Sequence, residues 1–419
     1  MLLGLILVVI FLVYFYLWRR LVRDPLRPGW GRRIGTVLAV LLALLIPATL
    51  AGTRTGHLRW LAWPGYLWMG LMFYLLVVLV AVEVPRLAVL LLWRLRARTK
   101  RGADLAENGP AAAPKPDHDE TAGADLAENG PAAAPKADHD ETSAKDALDR
   151  RLVLARGVAI FAGLTAASIT GYGVRTALGA PRLNRVRIPL AKLPRALDGT
   201  RLAVVSDIHL GPLTGTRHVG RIVEMINSVS ADIVCIVGDL VDGSVAELGR
   251  FAEPLRGIES RQGAYFVTGN HEYYSGFQQW VDEVARLGVR PLRNERLELG
   301  GLDLAGVNDL GGKDYGDGAD FGRALGDRDP ARPVVLMAHQ PAAAHQAAPY
   351  GVDLQVSGHT HGGQMAPFNL LVKLDQPIVS GLGTVDGVPV FVTNGAGFWG
   401  PPVRVGAPPQ VTVIELRTP

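Results

Sequence analysis

The chain has 419 residues, a length that exceeds one average domain and suggests two or three structural units. Hydrophobic residues make up 48% of it, a high share that is expected when part of a chain lies in lipid. The formal net charge of +4 at pH 7 would be compatible with nucleic-acid binding. The arginines cluster beside apolar runs with few aromatic residues among them, which indicates membrane flanks and argues against nucleic-acid binding. The single cysteine, Cys235, excludes an internal disulfide framework.

Three strongly apolar runs open the chain, at residues 2–18, 34–51 and 61–82. Each run is about long enough to cross a hydrocarbon layer of roughly 30 Å as a helix. None has the polar face expected of a buried helix in a soluble domain. A signal peptide is a poor explanation of the first run, because its basic residues follow the run and do not precede it. We therefore predict a membrane domain with three transmembrane helices over residues 1–98.

The composition then changes to Ala, Pro, Asp, Glu and Gly, and this part of the chain contains a tandem duplication. Residues 102–121 recur at 123–142 with one difference, Pro116 against Ala137. Two short copies cannot stack a core, so a solenoid is excluded. We predict a disordered acidic linker over residues 99–148.

A fourth apolar run, residues 157–174, follows Arg150 and Arg151 and is rich in small side chains. Small residues suit helix packing in a bilayer, so we predict a fourth transmembrane helix within residues 149–180. Two alternatives are an export signal of the twin-arginine type and a helix that lies on the following domain.

The basic residues give an expected orientation in the cell membrane. Six arginines lie between the first two runs, only two lie between the second and third, and five basic residues follow the third run at positions 94–101. Because positive charge favours the cytoplasmic side, the first loop and the linker are expected inside and the second loop outside. If the fourth run crosses, the protein is multi-pass and everything after that run is extracytoplasmic.

From about residue 185 to 419, short β-rich runs alternate with helix-like stretches, which predicts an α/β domain. The predicted strands cover residues 202–205, 233–237, 265–267, 334–337, 354–356 and 390–392, with a hairpin at 297–307 and a tail strand at 411–416.

Polar motifs stand at the ends of five of these strands. They are Asp207-x-His209, Gly238-Asp239-x-x-Asp242, Gly269-Asn270-His271-Glu272, His339 and Gly358-His359-x-His361. Loops at the carboxyl ends of strands gather at one edge of an α/β sheet, where ligands bind. Each motif alone is weak, but the joint pattern on successive strand ends is a strong indication of a metal site.

Imidazole and carboxylate ligands together favour Zn, Mn or Fe. Seven good ligands are too many for one ion and about right for two, provided that one carboxylate bridges them. Asp239 is the natural bridge. A metal pair about 3.5 to 4 Å apart would clamp a phosphoryl group and lower the pKa of a bound water.

These five blocks resemble the signature of calcineurin-like metallophosphoesterases. The extended block from Gly358 to Gln364, with Gly395-Ala396-Gly397 downstream, is similar to a membrane-associated bacterial branch of that superfamily. The resemblance covers about residues 185–416 and implies a four-layer α-β-β-α sandwich, here preceded by a transmembrane helical region.

Carried over by position, the resemblance implies two sets of metal ligands and one catalytic histidine. Asp207, His209, Asp239 and His361 would hold one divalent ion, and Asp239, Asn270, His339 and His359 would hold the other. His271 would contact the phosphate or act as general acid.

Four further residues have two interpretations each. Asp242 and Glu272 either orient the ligands or lie in solvated turns. Trp399 could line a substrate mouth and Arg404 could meet a phosphate, or both could pack within an ordinary loop.

The sequence thus predicts a metal-dependent phosphoesterase that hydrolyses phosphomonoesters or phosphodiesters with a water activated by two metals. The expected partners are the lipid bilayer and a phosphate ester, on an envelope or lipid-linked substrate, and the oligomeric state is left open. The alternative is a membrane sensor or transporter whose domain only binds phosphorylated ligands. The intact ligand set argues against it, and so does the lack of buried charges in the spans. A nuclease is disfavoured because the catalytic half shows no basic face with stacking aromatics.

Overall fold

The computed structural model describes residues 2–55, 58–107 and 137–419. The chain divides into two compact units, Met1–Leu41 with Phe73–Ala166, and Leu42–Met72 with Ala167–Pro419.

The apolar runs form four long helices, α1 (Leu2–Trp18), α2 (Trp30–Thr55), α3 (Ala62–Glu107) and α4 (Ala137–Leu178). Within the described residues, three segments are long and apolar enough to cross a membrane: Trp30–Thr53, Arg59–Trp93 and Asp149–Leu178. These segments contain the second, third and fourth predicted runs, and α1 coincides with the first, which is shorter at 17 residues.

Helices α3 and α4 also extend into the segment predicted as a linker, to Glu107 and from Ala137. The ends of that segment are rich in Ala, Glu, Lys and Arg, which favour helix. The middle of the predicted linker, residues 108–136, lies outside the described residues, so its disorder stays a prediction.

In the first unit, the loop after α1 contacts the beginning of the apolar segment of α4. The Arg27 guanidinium lies 2.8 Å from the Asp149 carboxylate, and Arg156 Nε donates to the Pro25 carbonyl at 3.0 Å. These two contacts place the loop and the start of that segment at the same end of the helices.

The second unit contains twelve strands in two sheets. The strands are β1 (Arg182–Pro189), β2 (Arg201–Val205), β3 (Ile233–Val237), β4 (Ala264–Val267), β5 (Arg290–Pro291), β6 (Glu295–Leu299), β7 (Leu302–Gly306), β8 (Val334–Met337), β9 (Leu354–Ser357), β10 (Gly381–Val385), β11 (Val388–Val392) and β12 (Gln410–Arg417). The helices of this part are α5 (Thr216–Asn227), α6 (Val245–Ala252), α7 (Asn270–Tyr274), α8 (Phe277–Arg286), α9 (Phe321–Leu325), α10 (Ala344–Ala347) and α11 (Asn369–Val372).

The two sheets have the strand orders β1-β12-β2-β3-β4-β5 and β10-β11-β9-β8-β7-β6. Strands β2 to β5 pair in parallel, as do β7, β8, β9 and β11, so their carboxyl ends share one edge in each sheet. The hairpin predicted at residues 297–307 is confirmed as β6 and β7, with Gly300 and Gly301 in the turn at positive φ. Strands β1, β5 and β10 were not among the predicted runs.

Alternation along the buried strand β3 shows how the layers are built. Val234 and Ile236 pack in a cluster with α5 and α8, whereas Cys235 and Val237 pack in a cluster with the second sheet. A third cluster joins the outer face of the second sheet to α9 and α10. Three apolar layers of this kind therefore separate four layers of helices and sheets. Full burial of one such side chain stabilises the folded state by about 1.5–3 kcal/mol. The predicted α-β-β-α sandwich is confirmed.

In the second unit, Leu42–Met72 forms a helical hairpin from the end of α2 and the beginning of α3, and the loop of residues 398–405 packs close to helix. A β-carbon added to Gly70 would lie 2.8 Å from Val403, and one added to Gly173 in α4 would lie 2.5 Å from the same side chain. The Arg404 amide donates to the Gly173 carbonyl at 3.0 Å. Glycine at both positions lets this buried loop approach two helices at once.

We expect Gly173→Ala to destabilise the protein and Gly171→Ala, on the same helix, not to do so. Both changes improve helix propensity equally, but no atom lies within 4 Å of a β-carbon at Gly171. The crowding against Val403 should lower the free energy of unfolding by about 1–3 kcal/mol. The melting temperature of the full chain in detergent measures the difference, and equal values for the two variants would contradict this packing.

Candidate metal centre

The predicted ligands, together with Asp242 and His271, lie in the segments that follow the carboxyl ends of five strands from both sheets. Asp207 and His209 follow β2, Asp239 and Asp242 follow β3, Asn270 and His271 follow β4, His339 follows β8, and His359 and His361 follow β9. The fold therefore brings the five motifs to neighbouring edges of two packed sheets, as the sequence indicated.

One group of donors comprises Asp207, His209 and His361, all buried. The Nε2 atoms of the two histidines lie 3.0 Å apart, and Asp207 Oδ1 lies 3.3 Å from His361 Nε2 and 3.9 Å from His209 Nε2. Ligands held about 2.0–2.2 Å from one cation in a tetrahedron lie roughly 3.3–3.6 Å apart, so this spacing fits a shared cation.

A second group comprises Asp239, His339 and His359. His339 Nε2 lies 3.2 Å from Asp239 Oδ2, while His339 Nδ1 contacts the Val237 carbonyl at 2.8 Å. Since the carbonyl accepts a proton from Nδ1, Nε2 is the ring nitrogen that faces the carboxylate. Burial opposes protonation of His339, but the carboxylates of Asp239 and Asp207 raise its pKa well above the usual range. His339 Nε2 and the nearby Asn270 Oδ1 are both buried without a hydrogen-bond partner. A cation bound at this position would satisfy these unpartnered polar atoms beside the buried carboxylate.

Asp239 reaches both groups. Its Oδ2 lies 3.2 Å from His339 and 3.8 Å from His209, and its Oδ1 accepts the backbone N–H of His271 at 2.9 Å. Burial opposes ionisation of this carboxyl, but the surrounding imidazoles hold the pKa of Asp239 well below its usual range. The residue is therefore a charged acceptor placed between two clusters of nitrogen donors.

Two of the histidines are held in the form that binds a cation. Burial lowers the pKa of His359 to about 4, and burial together with the charges of His209 and Arg404 lowers the pKa of His361 well below its usual range. Each imidazole therefore keeps a lone pair at neutral pH. Together with the carboxylates, this donor set fits divalent metals that accept nitrogen and oxygen.

Asp242 orients two histidines, which decides between its two interpretations. Its Oδ1 lies 2.8 Å from His209 Nδ1 and 2.7 Å from His271 Nδ1. Burial opposes its ionisation, yet the two imidazoles lower the pKa of Asp242 to about 2. Both rings thus direct their Nε2 atoms away from this carboxylate and toward the donor groups.

Glu272 does not lie in a solvated turn. It is fully buried, and its carboxylate accepts backbone N–H groups from Asp239, Leu240 and Gly269 at 3.0, 2.7 and 2.6 Å. Burial and the charge of Asp239 raise the pKa of Glu272 to about 7. Glu272 therefore fastens the loop after β3 to the loop after β4.

Two glycines are required by the closeness of these loops. A β-carbon at Gly269 would lie 2.2 Å from Asp239 Oδ1, and one at Gly397 would lie 2.0 Å from the Ile208 carbonyl. The Gly397 amide also donates to the Asp207 carbonyl at 2.8 Å. This explains the Gly395-Ala396-Gly397 block, which packs directly on the first ligand loop.

The structure does not place Arg404 where a phosphate could reach it. The side chain is fully buried, and its guanidinium donates to the carbonyls of His361, Asn394, Gly397 and Ala407. Of the two interpretations of Arg404, these bonds contradict contact with a phosphate and support packing within the loop, because every nitrogen of the guanidinium has a protein acceptor. Its role is to support the loop that carries His361.

A cavity of about 410 Å³ adjoins the donor groups. His209, Asp242 and His271 line it, together with Trp399, whose ring centroid lies 6.1 Å from that of His271. The predicted position of Trp399 at a substrate mouth agrees with this geometry, although binding itself stays a prediction. Burial opposes protonation of His271, but its hydrogen bond to Asp242 and the nearby carboxylates raise its pKa to about 9.

Sequence reasoning missed other residues that line the same cavity. Leu50, Thr53 and Tyr66 come from the helical hairpin, and Tyr274 follows the third motif. Tyr274 could have been found from the sequence, because it lies four residues after Asn270 and residues four apart share one face of a helix. No local signal marks the three hairpin residues, because they lie more than 100 positions from the first metal ligand.

The fold and this centre define the class of metal-dependent phosphoesterases, and comparison with known proteins agrees. The family model for calcineurin-like phosphoesterases matches residues 200–363. An uncharacterized metallophosphoesterase from Helicobacter pylori strain J99 is 37% identical over 255 residues, which cover 59% of this chain and 68% of that protein. An uncharacterized metallophosphoesterase from Aquifex aeolicus is 33% identical over 246 residues, 56% of this chain and 92% of that protein. The chain belongs to the calcineurin-like metallophosphoesterase family, whose defining activity is hydrolysis of phosphoric esters.

A further similar protein is named as a transmembrane protein. A transmembrane protein with metallophosphoesterase domain from Danio rerio is 39% identical over 272 residues, which cover 62% of this chain and 62% of that protein. The match thus spans less than two thirds of the length of this relative.

Proposed function

We propose that the chain is a membrane-anchored phosphoesterase that hydrolyses phosphomonoesters or phosphodiesters with two divalent cations, on an envelope or lipid-linked substrate. The observation that carries this proposal is the position of Asp239 between two groups of imidazole and carboxylate donors. Asp207, His209, Asp239 and His361 would hold one cation, and Asp239, Asn270, His339 and His359 would hold the other. The nitrogen content of both groups favours Mn, Zn or Fe.

Bound at these positions, a cation pair supplies positive charge to the phosphoryl oxygens and lowers the pKa of water. The chain itself positions the remaining groups. Asp242 fixes His271 through Nδ1, and His271 Nε2 lies 4.0 Å from Asp239 Oδ2 with the ring facing the cavity. His271 is therefore placed to contact the phosphate and to protonate the leaving oxygen.

We further propose that the catalytic domain lies outside the cytoplasmic membrane. The contacts of Arg27 and Arg156 support a common position for the basic first loop and the start of the fourth proposed span, at one end of the helices. The positive charge of that loop favours the cytoplasmic side for this end. In the second unit, Arg59 after α2 pairs with Glu247 of the catalytic domain, so this loop and the domain share one side. A four-span arrangement with an extracytoplasmic domain satisfies both observations.

Asp239→Asn is expected to abolish turnover while leaving the domain folded. Loss of the shared negative charge leaves two cations under-compensated, so bound metal should fall below two per chain. Hydrolysis of an aryl phosphodiester and metal content by mass spectrometry measure the effect. Asp314→Asn, at an exposed carboxylate outside the donor groups, is the matched control. Normal activity with two metals bound in Asp239→Asn would refute the shared-ligand assignment.

His271→Ala should reduce rate more than metal content. General acid catalysis is typically worth about 10² to 10⁴-fold, and the loss should be largest for esters with poor leaving groups. Rates for an alkyl and a nitrophenyl phosphate, compared with the control His345→Ala, measure this difference. An equal loss on both substrates would show that His271 is not the acid, and a loss of metal would make it a ligand.

Reporter fusions after Lys136 and after Arg185 test the orientation. We expect the first fusion to report a cytoplasmic position and the second an extracytoplasmic one, because one span separates them. Two cytoplasmic results would overturn the proposed topology and place the active site in the cytoplasm.

A further inference from the structure

The cavity beside the metal centre has two walls of different origin. One wall carries His209, Asp242 and His271 from the catalytic domain. The other carries Leu50, Thr53 and Tyr66 from the helical hairpin of the same compact unit. The catalytic loops alone therefore do not enclose the space next to the reacting groups.

Several contacts hold the hairpin in this position. Arg59 pairs with Glu247, and Thr53 Oγ1 lies 3.5 Å from Tyr66 Oη. The Tyr66 ring also packs on Gly400, where an added β-carbon would lie 3.8 Å away. The first contact ties the hairpin to α6, the second joins its two arms, and the third sets it against the loop that carries Trp399, so the wall is a built part of the site.

The same hairpin residues belong to the ends of candidate membrane spans. Leu50 and Thr53 lie at the end of Trp30–Thr53, and Tyr66 lies near the beginning of Arg59–Trp93. Trp60 and Trp63 of the hairpin are exposed, as tryptophans at a membrane–water interface commonly are. One wall of the cavity therefore belongs to the ends of two segments that are long and apolar enough to cross a membrane.

The lining is suited to one phosphoester group with an apolar remainder. Leu50, Leu213, Tyr66, Tyr274 and Trp399 give it aliphatic and aromatic surface, and Trp399 and Tyr274 are 57% and 68% exposed. No lysine or arginine occurs among the described residues that line it. Polyphosphates are usually recognised by such cations, so a nucleotide polyphosphate fits this cavity less well than a lipid.

We propose that the hairpin completes the active site and that the substrate is an amphiphilic phosphoester presented by the bilayer. The phosphate reaches the metal centre while the apolar chains lie along Leu50 and Tyr66 toward the membrane. This inference rests on the proposed phosphoesterase function and adds the substrate class and the hairpin wall to it.

The test uses the full chain in detergent with Mn²⁺. The probes are phosphatidic acid and phosphatidylglycerol with hexanoyl or palmitoyl chains in mixed micelles, p-nitrophenyl and bis(p-nitrophenyl) phosphate, and AMP and ATP. We expect at least one palmitoyl lipid to be cleaved with kcat/KM ten-fold or more above its hexanoyl analogue and above the soluble esters. Tyr66→Ala and Leu50→Ala should each lower the ratio of lipid to aryl-ester hydrolysis by roughly ten-fold. Leu67→Ala, at an exposed position on the same helix that does not line the cavity, should keep the wild-type ratio.

Cleavage of the aryl esters without cleavage of either lipid would overturn the inference and leave the phosphoesterase function intact. The same holds for preference for AMP or ATP, or for a ratio unchanged in both hairpin variants. If Tyr66→Ala does not fold, Leu50→Ala and the chain-length dependence of the wild-type protein still decide the matter. Absence of all hydrolysis with Mn²⁺, Zn²⁺ or Fe²⁺ would instead refute the proposed function itself.

Discussion

The buried carboxylate of Asp239 is the constraint around which the catalytic domain is arranged. A charge removed from water costs several kcal/mol unless it is paired and hydrogen-bonded, and this one lies between His209, His339 and the backbone of His271. Glu272 in turn binds the backbone of Asp239 and fixes the loop that carries it. The burial of one charge thus requires the loops after β2, β3, β4 and β8 to stay together.

That closeness explains why the ligand loops have an unusual backbone. Asp207, His209, Asp239, His359 and His361 all have φ between 48° and 70°. The left-handed conformation costs roughly 1–2 kcal/mol for a residue with a side chain, so hydrogen bonds between loops must hold it. Examples are the amide of Asp207 on the Gly238 carbonyl and that of His209 on the Asp239 carbonyl, at 3.0 and 3.2 Å. All five residues with this backbone conformation supply side chains to the two donor groups.

Arg404 connects the metal centre with a helix long and apolar enough to cross a membrane. Its guanidinium supports the His361 loop, and its amide donates to the Gly173 carbonyl in α4. The neighbouring Val403 sits against Gly70 and Gly173. The position of a candidate metal ligand and the position of a helix that could cross a membrane therefore depend on the same short loop, which also carries Trp399 into the cavity.

The sequence by itself determined the apolar helices, nine of the twelve strands of the two sheets and the motifs that supply candidate metal ligands. These features are local: an apolar run of about 20 residues, or two ligands within four residues of a strand end, needs no knowledge of distant contacts. The roles of Asp242, Glu272 and Arg404, and the hairpin wall formed by Tyr66, were decided only by the tertiary structure. Each depends on contacts between segments far apart in the chain, such as those of His361 and Arg404, which are 43 positions apart. A side chain's role there is fixed by which loop packs beside it, and local sequence carries no record of that packing.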